Sequence, residues 1–207
     1  MRRIGCDVDG VLANFIDSYS RLIFIRTGKI FPRAGDNFPT EWYWERAAGI
    51  PPEIEDLIWE MDIKASDTFW ERLGALPGAI AAIGCLNRLS KLGHDIFFIT
   101  KRPGNTARIQ TERWLHSHGF DFPTVLRVEH VVDKIPLVGL LNIDLFIDDN
   151  PNTVEGLAKA VEDEFGVLSV GEHIYLKSAP YNRSLNRPDV KRVSSVGEAL
   201  VKEGLWV

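Results

Sequence analysis

Four acidic residues of this 207-residue chain form two close pairs. Asp7 and Asp9 are two residues apart, so in an extended segment their side chains point to the same side. Asp148 and Asp149 follow directly after an apolar run. Carboxylate oxygens are hard ligands that suit Mg²⁺, and acids packed together without a cation would raise one another's pKa values. Asp7, Asp9 and Asp149 are therefore candidate Mg²⁺ ligands, with Asp148 as a further candidate.

A hydroxyl group and two ammonium groups lie between these acid pairs along the chain. Thr100 ends an apolar run, and its hydroxyl and neighbouring backbone N–H groups can bind a phosphate. Lys134 supplies a point charge that suits a phosphate oxygen, and Lys101 adds a cation beside Thr100. Together with the acids, these groups suffice for phosphoryl transfer to a carboxylate. One Asp attacks phosphorus, and a second acid protonates the leaving oxygen and then activates water.

Each of these features has a purely structural explanation when it is taken alone. An Asp-x-Asp pair is commonly a turn or a solvated strand end, a threonine after a strand is commonly a cap, and a lysine is commonly a surface residue. All the features occur here in one order, however, and each adjoins a predicted buried strand or a turn. The ordered set favours a catalytic site. A module that only binds a metal or a phosphorylated ligand is the non-enzymatic alternative.

Short apolar runs alternate with amphipathic helical patterns along most of the chain. A short strand is predicted at 2–8, and continuous apolar runs at 95–100 and 143–147 are typical of buried parallel strands. The other predicted elements are helices at 11–27, 42–48, from Pro51-Pro52 onward, 67–73, 79–92, 105–118, 153–164 and 195–203, and strand-like pieces at 124–132, 166–170 and 173–176.

This alternation predicts an α/β fold with a doubly wound parallel sheet. The carboxyl ends of the strands would then meet in one crevice, where ligands bind in such sheets. Segment 17–76 is predicted to be helical, aromatic and strand-free, so we interpret it as a small cap inserted between the first and second core strands. The core would comprise residues 1–16 and 77–207.

The predicted cap holds four of the six tryptophans of the chain. Trp59 follows Leu57 and Ile58 on an apolar face, so it is predicted to lie in a small hydrophobic core. Trp42, Tyr43 and Trp44 are consecutive, and three neighbours cannot all point inward on one helix. At least one of these three rings is therefore expected to be available to a ligand.

Composition and charge restrict the class of protein. The chain has 24 Lys and Arg against 29 Asp and Glu, a formal net charge of −5, and 45% hydrophobic residues. These values exclude a disordered chain and argue against a protein that coats nucleic acid, which needs a basic surface. Cys6 and Cys85 are predicted to be buried reduced thiols. No run approaches the roughly 18 apolar residues of a membrane span, and the N-terminus does not resemble a signal peptide, so a cytoplasmic location is expected.

Four segments resemble, in order, the motifs of the haloacid dehalogenase-like (HAD) phosphohydrolase superfamily: Asp7-Val-Asp-Gly-Val-Leu-Ala13, Phe-Ile-Thr100, Lys134 and Leu-Phe-Ile-Asp-Asp149. The resemblance implies a Rossmann-like core, Asp7 as nucleophile and Asp9 as general acid and base. It also implies Mg²⁺ held by Asp7, the main-chain carbonyl of Asp9, and Asp149, with Thr100 and Lys134 binding the transferring phosphate. Receiver domains use a similar Asp, Thr and Lys set, but the order here fits HAD enzymes better.

Within this superfamily the chain is similar to the 5′(3′)-deoxyribonucleotidase branch. The similarity rests on the short helical cap, on the segment from Phe69 to Ala79 and on Pro180 to Arg183. It implies a phosphomonoesterase for a nucleoside monophosphate, and a homodimer is a candidate assembly. A HAD phosphatase for a sugar phosphate or a polynucleotide end is the alternative. The residues implied to face the base and sugar are Phe15, Trp42, Tyr43 and Trp44.

The chain departs from that branch directly after Thr100. It has Lys101-Arg102-Pro103 where characterised nucleotidases have a small serine before proline. Two extra cations at the phosphate mouth would favour a more anionic ligand. The acid/base residue and the metal ligands are not expected to be affected.

Overall fold

The computed structural model describes residues 1–30, 49–162 and 173–207. The predicted helix at 42–48 and the predicted strand at 166–170 lie outside these residues. So do the candidate substrate residues Trp42, Tyr43 and Trp44.

The strands form one large sheet and one small one. They are β1 Arg3–Cys6, β2 Ala13–Asn14, β3 Gly74–Ala75, β4 Asp95–Thr100, β5 Thr124–Arg127, β6 Leu145–Asp148, β7 Ile174–Lys177 and β8 Lys191–Val193. Six of them pair in parallel in the order β5-β4-β1-β6-β7-β8, and β2 pairs antiparallel with β3. The chain passes from β1 to β4 and β5 and then returns to β6 on the other side of β1. This reversal is a topological switch point, where doubly wound sheets bind ligands.

Helices cover both faces of the large sheet. They are α1 Phe15–Thr27, α2 Pro52–Leu57, α3 Ala79–Lys91, α4 Ala107–Ser117, α5 Lys134–Leu140, α6 Pro151–Glu162 and α7 Val196–Lys202. The buried apolar residues of α1, α3, α4 and α7 belong to one hydrophobic cluster, and those of α5 and α6 belong to a second. The predicted doubly wound α/β fold is therefore confirmed.

The alternation of side chains along β4 explains why this strand is apolar throughout. Ile96 and Phe98 pack into the first hydrophobic cluster, whereas Phe97 and Ile99 pack into the second. Successive side chains of a strand point to opposite faces, so a strand with helices on both sides needs apolar residues at every position. The order of the strands thus places the ends of β4, β1 and β6 side by side at one edge of a fully covered sheet.

The segment after β1 differs from the predicted helix at 11–27, which begins only at Phe15. The amides of Leu12 and Ala13 both donate to the carbonyl of Val8, at 2.8 and 2.7 Å, and form a tight turn. The side chain of Asn14 then caps α1 by accepting from the amide of Asp17. The prediction that segment 17–76 contains no strand is also wrong, because β3 lies within it and pairs with β2.

The apolar face predicted at Ile54, Leu57, Ile58 and Met61 is only partly correct. Ile58 is buried, but Leu57 is 38% exposed and Met61 is 61% exposed. The chain is π-helical over Ile58–Lys64, and the wider turn changes which later side chains share a face with Ile58. Ile63 is buried in their place.

The remaining predictions agree with the structure to different extents. The helices at 79–92, 105–118 and 195–203 are present with ends shifted by up to two residues, and the helix predicted at 153–164 begins at Pro151, with residues 163 and 164 outside the described ranges. The predicted helix at 67–73 is only a 3₁₀ turn at Trp70–Arg72. Helix α5 and strand β8 were not predicted. Cys6 and Cys85 are buried and free, as expected. Among the described residues, no helix has the length and apolar character needed to cross a bilayer.

Candidate active site

Three buried carboxylates meet at the switch point. Asp7 directly follows β1, Asp148 ends β6, and Asp149 comes next. The amide of Asp7 donates to the carbonyl of Ile147 at 2.9 Å, which aligns the ends of the two strands. One oxygen of each of the three carboxylates lies within 4.8 Å of the other two. We refer to Asp7, Asp148 and Asp149 as the acid cluster.

Lys134 places a buried cation beside two members of the acid cluster. It begins α5, and its Nζ donates to Oδ2 of Asp148 at 2.8 Å and lies 3.0 Å from Oδ1 of Asp7. Burial alone would lower the pKa of Lys134, but the charges of Asp148 and Asp7 outweigh burial and raise it. Lys134 therefore remains charged and offsets part of the repulsion between these two acids.

The acid cluster holds more negative charge than its protein neighbours compensate. Burial raises the pKa of Asp7 well above its usual range, despite the opposing charge of Lys134. Burial, with the charge of Asp148, raises the pKa of Asp149 to about 7. Oδ1 of Asp7 is buried and makes no well-directed hydrogen bond to the described residues, although Lys134 is near. An oxygen-rich site with excess negative charge and an unused lone pair can hold a divalent cation.

Two residues that the sequence analysis had not assigned to the site support Asp149. The hydroxyl of Tyr181 donates to Oδ2 of Asp149. Nδ2 of Asn182 donates to the carbonyl oxygens of Asp149 and Lys177, both at 2.8 Å. Burial raises the pKa of Tyr181, so its hydroxyl keeps the proton that it donates. The only sequence signal was the Pro180 to Arg183 segment, which contributed to the family resemblance without a stated role.

The carboxylate of Asp9 lies outside the acid cluster because it is paired with Arg102. Nε of Arg102 donates to Oδ2 of Asp9 at 2.8 Å, and Nη2 donates to Oδ1 at 2.7 Å. The hydroxyl of Thr100 is 3.5 Å from Oδ2 of Asp9. Arg102 is fully buried, whereas Lys101 is exposed. The expectation that both Lys101 and Arg102 stand as extra cations at the phosphate mouth is therefore wrong for Arg102. The expectation that the departure after Thr100 does not affect Asp9, the predicted acid/base residue, is also wrong, because Arg102 pairs with it.

Phe15, which directly precedes the predicted cap, packs within an aromatic cluster formed with residues of that segment. Its ring stacks on Tyr19 at 5.2 Å, on Trp59 at 5.7 Å and on Trp70 at 5.8 Å between centroids, with interplanar angles of 17–22°. Trp59 thus belongs to a packed cluster, as predicted. Phe15 is half-buried, and its predicted contact with a substrate stays a prediction.

Gly10 lies in the turn after Asp9, directly against the side chain of Asp149. We therefore expect any residue larger than glycine to destabilise the fold at this position. Its φ is +74°, and a Cβ atom would lie 2.0 Å from Oδ2 of Asp149. We expect Gly10→Ala to lower the free energy of unfolding by about 2–5 kcal/mol, since overpacking adds to the backbone strain. Gly119→Ala is the control, because its φ is +98° with nothing within 4 Å, and only the strain of about 1–2 kcal/mol applies. Equal losses in urea unfolding would contradict the predicted clash.

This chain is similar to a solved structure in fold and to two curated proteins in sequence. The crystal structure of a haloacid dehalogenase-like family hydrolase from Xanthomonas campestris shares the fold, with a TM-score of 0.50 and 13% identity over 100% of this chain and 96% of that chain. A Bacillus cereus protein named "Putative nucleotidase" is 29% identical over 124 residues, which are 59% of this chain and 60% of that protein. A protein of the same description from Oceanobacillus iheyensis is 25% identical over 133 residues, or 61% and 60% of the two chains. The matches thus span about three-fifths of these relatives.

The sequence model of one family matches almost the whole chain. Its description is "5′ nucleotidase, deoxy (Pyrimidine), cytosolic type C protein", and the match covers residues 2–200. That range includes Asp9, Thr100 and all three members of the acid cluster, together with Tyr181 and Asn182. The chain therefore belongs to the cytosolic type C 5′(deoxy)nucleotidase family.

Proposed function

We propose that this protein is a Mg²⁺-dependent phosphomonoesterase that hydrolyses a nucleoside monophosphate through an aspartyl-phosphate on Asp7. The observation that carries the proposal is the acid cluster at the switch point, with Lys134 between two of its members. Family membership and the relatives described as nucleotidases support a nucleotide as the substrate. The cytosolic description of the family supports the predicted cytoplasmic location, and the homodimer stays a prediction.

The acid cluster suits Mg²⁺, because carboxylate oxygens dominate it and its negative charge is not fully compensated. We propose that Asp7, the main-chain carbonyl of Asp9, and Asp149 hold the ion. Asp148 would instead hold Lys134 in place, through the 2.8 Å hydrogen bond. Bound Mg²⁺ would supply a Lewis acid that offsets charge on the transferring phosphate.

The first proposed step transfers the phosphoryl group to Asp7. A carboxylate oxygen of Asp7 forms a bond to phosphorus, and the bond from phosphorus to the ester oxygen breaks. The electron pair goes to the leaving oxygen, which takes a proton from the carboxyl group of Asp9. Lys134 and the hydroxyl of Thr100 would bind the phosphate oxygens, with Lys101 at the exposed side.

The second proposed step returns the enzyme to its initial state. Asp9 takes a proton from a water molecule, whose oxygen attacks phosphorus. The bond between phosphorus and Asp7 breaks, which restores the Asp7 carboxylate and releases inorganic phosphate. Phe15, with the segment Trp42-Tyr43-Trp44, is proposed to contact the base and sugar of the substrate.

A panel of phosphate esters tests this function. We expect inorganic phosphate to be released from dUMP, dTMP or a 3′-nucleotide faster than from sugar phosphates, and only when Mg²⁺ is present. The measurement is kcat/KM for each ester with Mg²⁺ and with EDTA. Equal rates on sugar phosphates would contradict the nucleotide assignment. Tight binding of an ester by calorimetry without any turnover would instead favour the non-enzymatic alternative.

A further inference from the structure

We infer that Arg102 is the positioning residue for Asp9: it holds the carboxylate from a buried site, so that Asp9 exchanges protons from one fixed orientation. The inference rests on the proposed function, in which Asp9 is the general acid and base. Arg102 belongs to the segment in which this chain departs from characterised nucleotidases, and its role was not apparent from the sequence.

The pairing geometry fixes the orientation of the Asp9 carboxylate. Nε and Nη2 of Arg102 each donate to a different oxygen, at 2.8 and 2.7 Å. A two-point contact between a planar guanidinium and a planar carboxylate restricts rotation, which a single lysine contact would not do. Each carboxylate oxygen has two lone-pair directions, so one direction of each remains available for a proton.

Arg102 itself has little freedom to move. Its side chain is fully buried, and Nη1 donates to the hydroxyl of Thr111 at 3.0 Å. Its guanidinium carbon lies 5.0 Å from the centroid of the Trp70 ring, in a cation–π arrangement. Three partners on different segments therefore hold the guanidinium in one place.

Two hydrogen bonds fix the position of Trp70, whose ring contacts the guanidinium of Arg102. The backbone amide of Trp70 donates to Oε1 of Gln110, on α4, at 2.8 Å. Nε1 of Trp70 donates to the carbonyl of Pro103 at 3.0 Å. These bonds join the 3₁₀ turn at Trp70–Arg72 to α4 and to Pro103, which directly follows Arg102.

Separating Asp9 from Arg102 would cost free energy, so we expect the two side chains to stay paired while Asp9 exchanges protons. If Asp9 swung away, the guanidinium would remain buried with a hydroxyl and an aromatic ring but no counter-charge. A buried charge without a partner is strongly unfavourable. Asp9 is partly exposed, with 22% of its side chain accessible, so a substrate can reach it while it stays paired.

Leaving-group dependence is the first test of this inference. The measured value is kcat/KM with saturating Mg²⁺, because it includes the step in which the leaving oxygen departs. We expect Arg102→Met to lower kcat/KM for a nucleoside 5′-monophosphate by about 10–100-fold, since general acid catalysis contributes roughly 10²–10⁴-fold. The same variant should lower kcat/KM for p-nitrophenyl phosphate only about threefold or less, because that leaving group needs little protonation. Arg102→Lys should give an intermediate loss.

Arg2→Met is the matched control. Arg2 also pairs with a buried carboxylate, because its Nη1 lies 2.6 Å from Glu203, whose side chain is 5% exposed. That pair lies near the beginning of β1, at the opposite end of the strand from Asp7. Removing it should change kcat/KM for the two esters by the same factor. If Arg102→Met lowered kcat/KM for both esters by the same factor, the positioning role would be overturned, and Arg102 would have a purely structural role.

A double-mutant cycle tests the pair without relying on turnover. The four proteins are the wild type, Asp9→Asn, Arg102→Met and the double variant, which carries neither charge. From urea unfolding, we expect the double variant to lose less free energy of unfolding than the sum of the losses in Arg102→Met and Asp9→Asn. Additive effects would overturn the inference. A wild type that hydrolyses neither ester, with a clear coupling in the cycle, would overturn the proposed function and the catalytic part of this inference together.

Discussion

Asp7→Asn is expected to lower kcat for the preferred nucleotide by on the order of 10⁴-fold or more, because the amide cannot form the bond to phosphorus. The stability of the variant should be equal to or higher than that of the wild type. Burial raises the pKa of Asp7, so the charged carboxylate is costly to the fold and a neutral side chain of similar shape removes that cost. The measurements are single-turnover phosphate release and thermal unfolding in the same buffer.

Asp95→Asn is the control for this substitution. Asp95 begins β4, is exposed and pairs with the exposed Arg3 at 3.3 Å, so its loss should leave kcat unchanged. Near-normal turnover by Asp7→Asn would show that the nucleophile is assigned wrongly. Mass spectrometry of the wild type during turnover should detect a phosphoryl group on the peptide that contains Asp7.

Lys134→Met is expected to lower the free energy of unfolding by about 3–5 kcal/mol in buffer that contains EDTA. The substitution removes the cation that lies 3.0 Å from Asp7 and 2.8 Å from Asp148, and it leaves two buried acids facing each other. Mg²⁺ should raise the melting temperature of this variant more than that of the wild type, because the acid cluster has lost the cation that lies against both Asp7 and Asp148. The measurement is urea and thermal unfolding with and without Mg²⁺.

Lys159→Met is the matched control for the removal of a lysine. Lys159 is exposed on α6 and pairs with Glu155 one turn away at 2.9 Å. Exposed pairs of this kind contribute little, so the change should be within about 0.5 kcal/mol. If the two lysine variants lost the same stability, Lys134 would not compensate the charge of the acid cluster as we describe.

The residues of the acid cluster could be predicted because each lies next to a strand that is recognisable alone. The predicted strand at 2–8 contains Asp7, and the apolar run at 143–147, typical of a buried strand, is followed directly by Asp148 and Asp149. Parallel strands end at a common edge of the sheet, so these acids are expected to meet there. The identity of the Asp9 partner could not be predicted in the same way. Arg102 follows a strand and is hydrophilic, so its sequence context indicates a surface cation, and its burial depends on Trp70 and Thr111 from other segments.

In the predicted cap segment, too, local sequence patterns did not determine the local structure. Helical periodicity at 52–61 predicts an α-helix, but it cannot show that the chain becomes π-helical at Ile58 and exposes Met61. Likewise, Gly74–Ala75 has no strand signal of its own, because two residues carry no alternation. Its pairing with Ala13–Asn14 exists only because the chain returns to the end of β1.

The sequence by itself determined the α/β class, the order of the motifs and the residue types that gather at the switch point. These properties follow from local periodicity and from the rule that parallel strands present their carboxyl ends together. Only the tertiary structure decided how the charges are divided: Lys134 between Asp7 and Asp148, Tyr181 on Asp149, and Arg102 on Asp9. Partner choice among buried charges depends on distances of a few ångströms between distant segments, and no local pattern in the sequence encodes those distances.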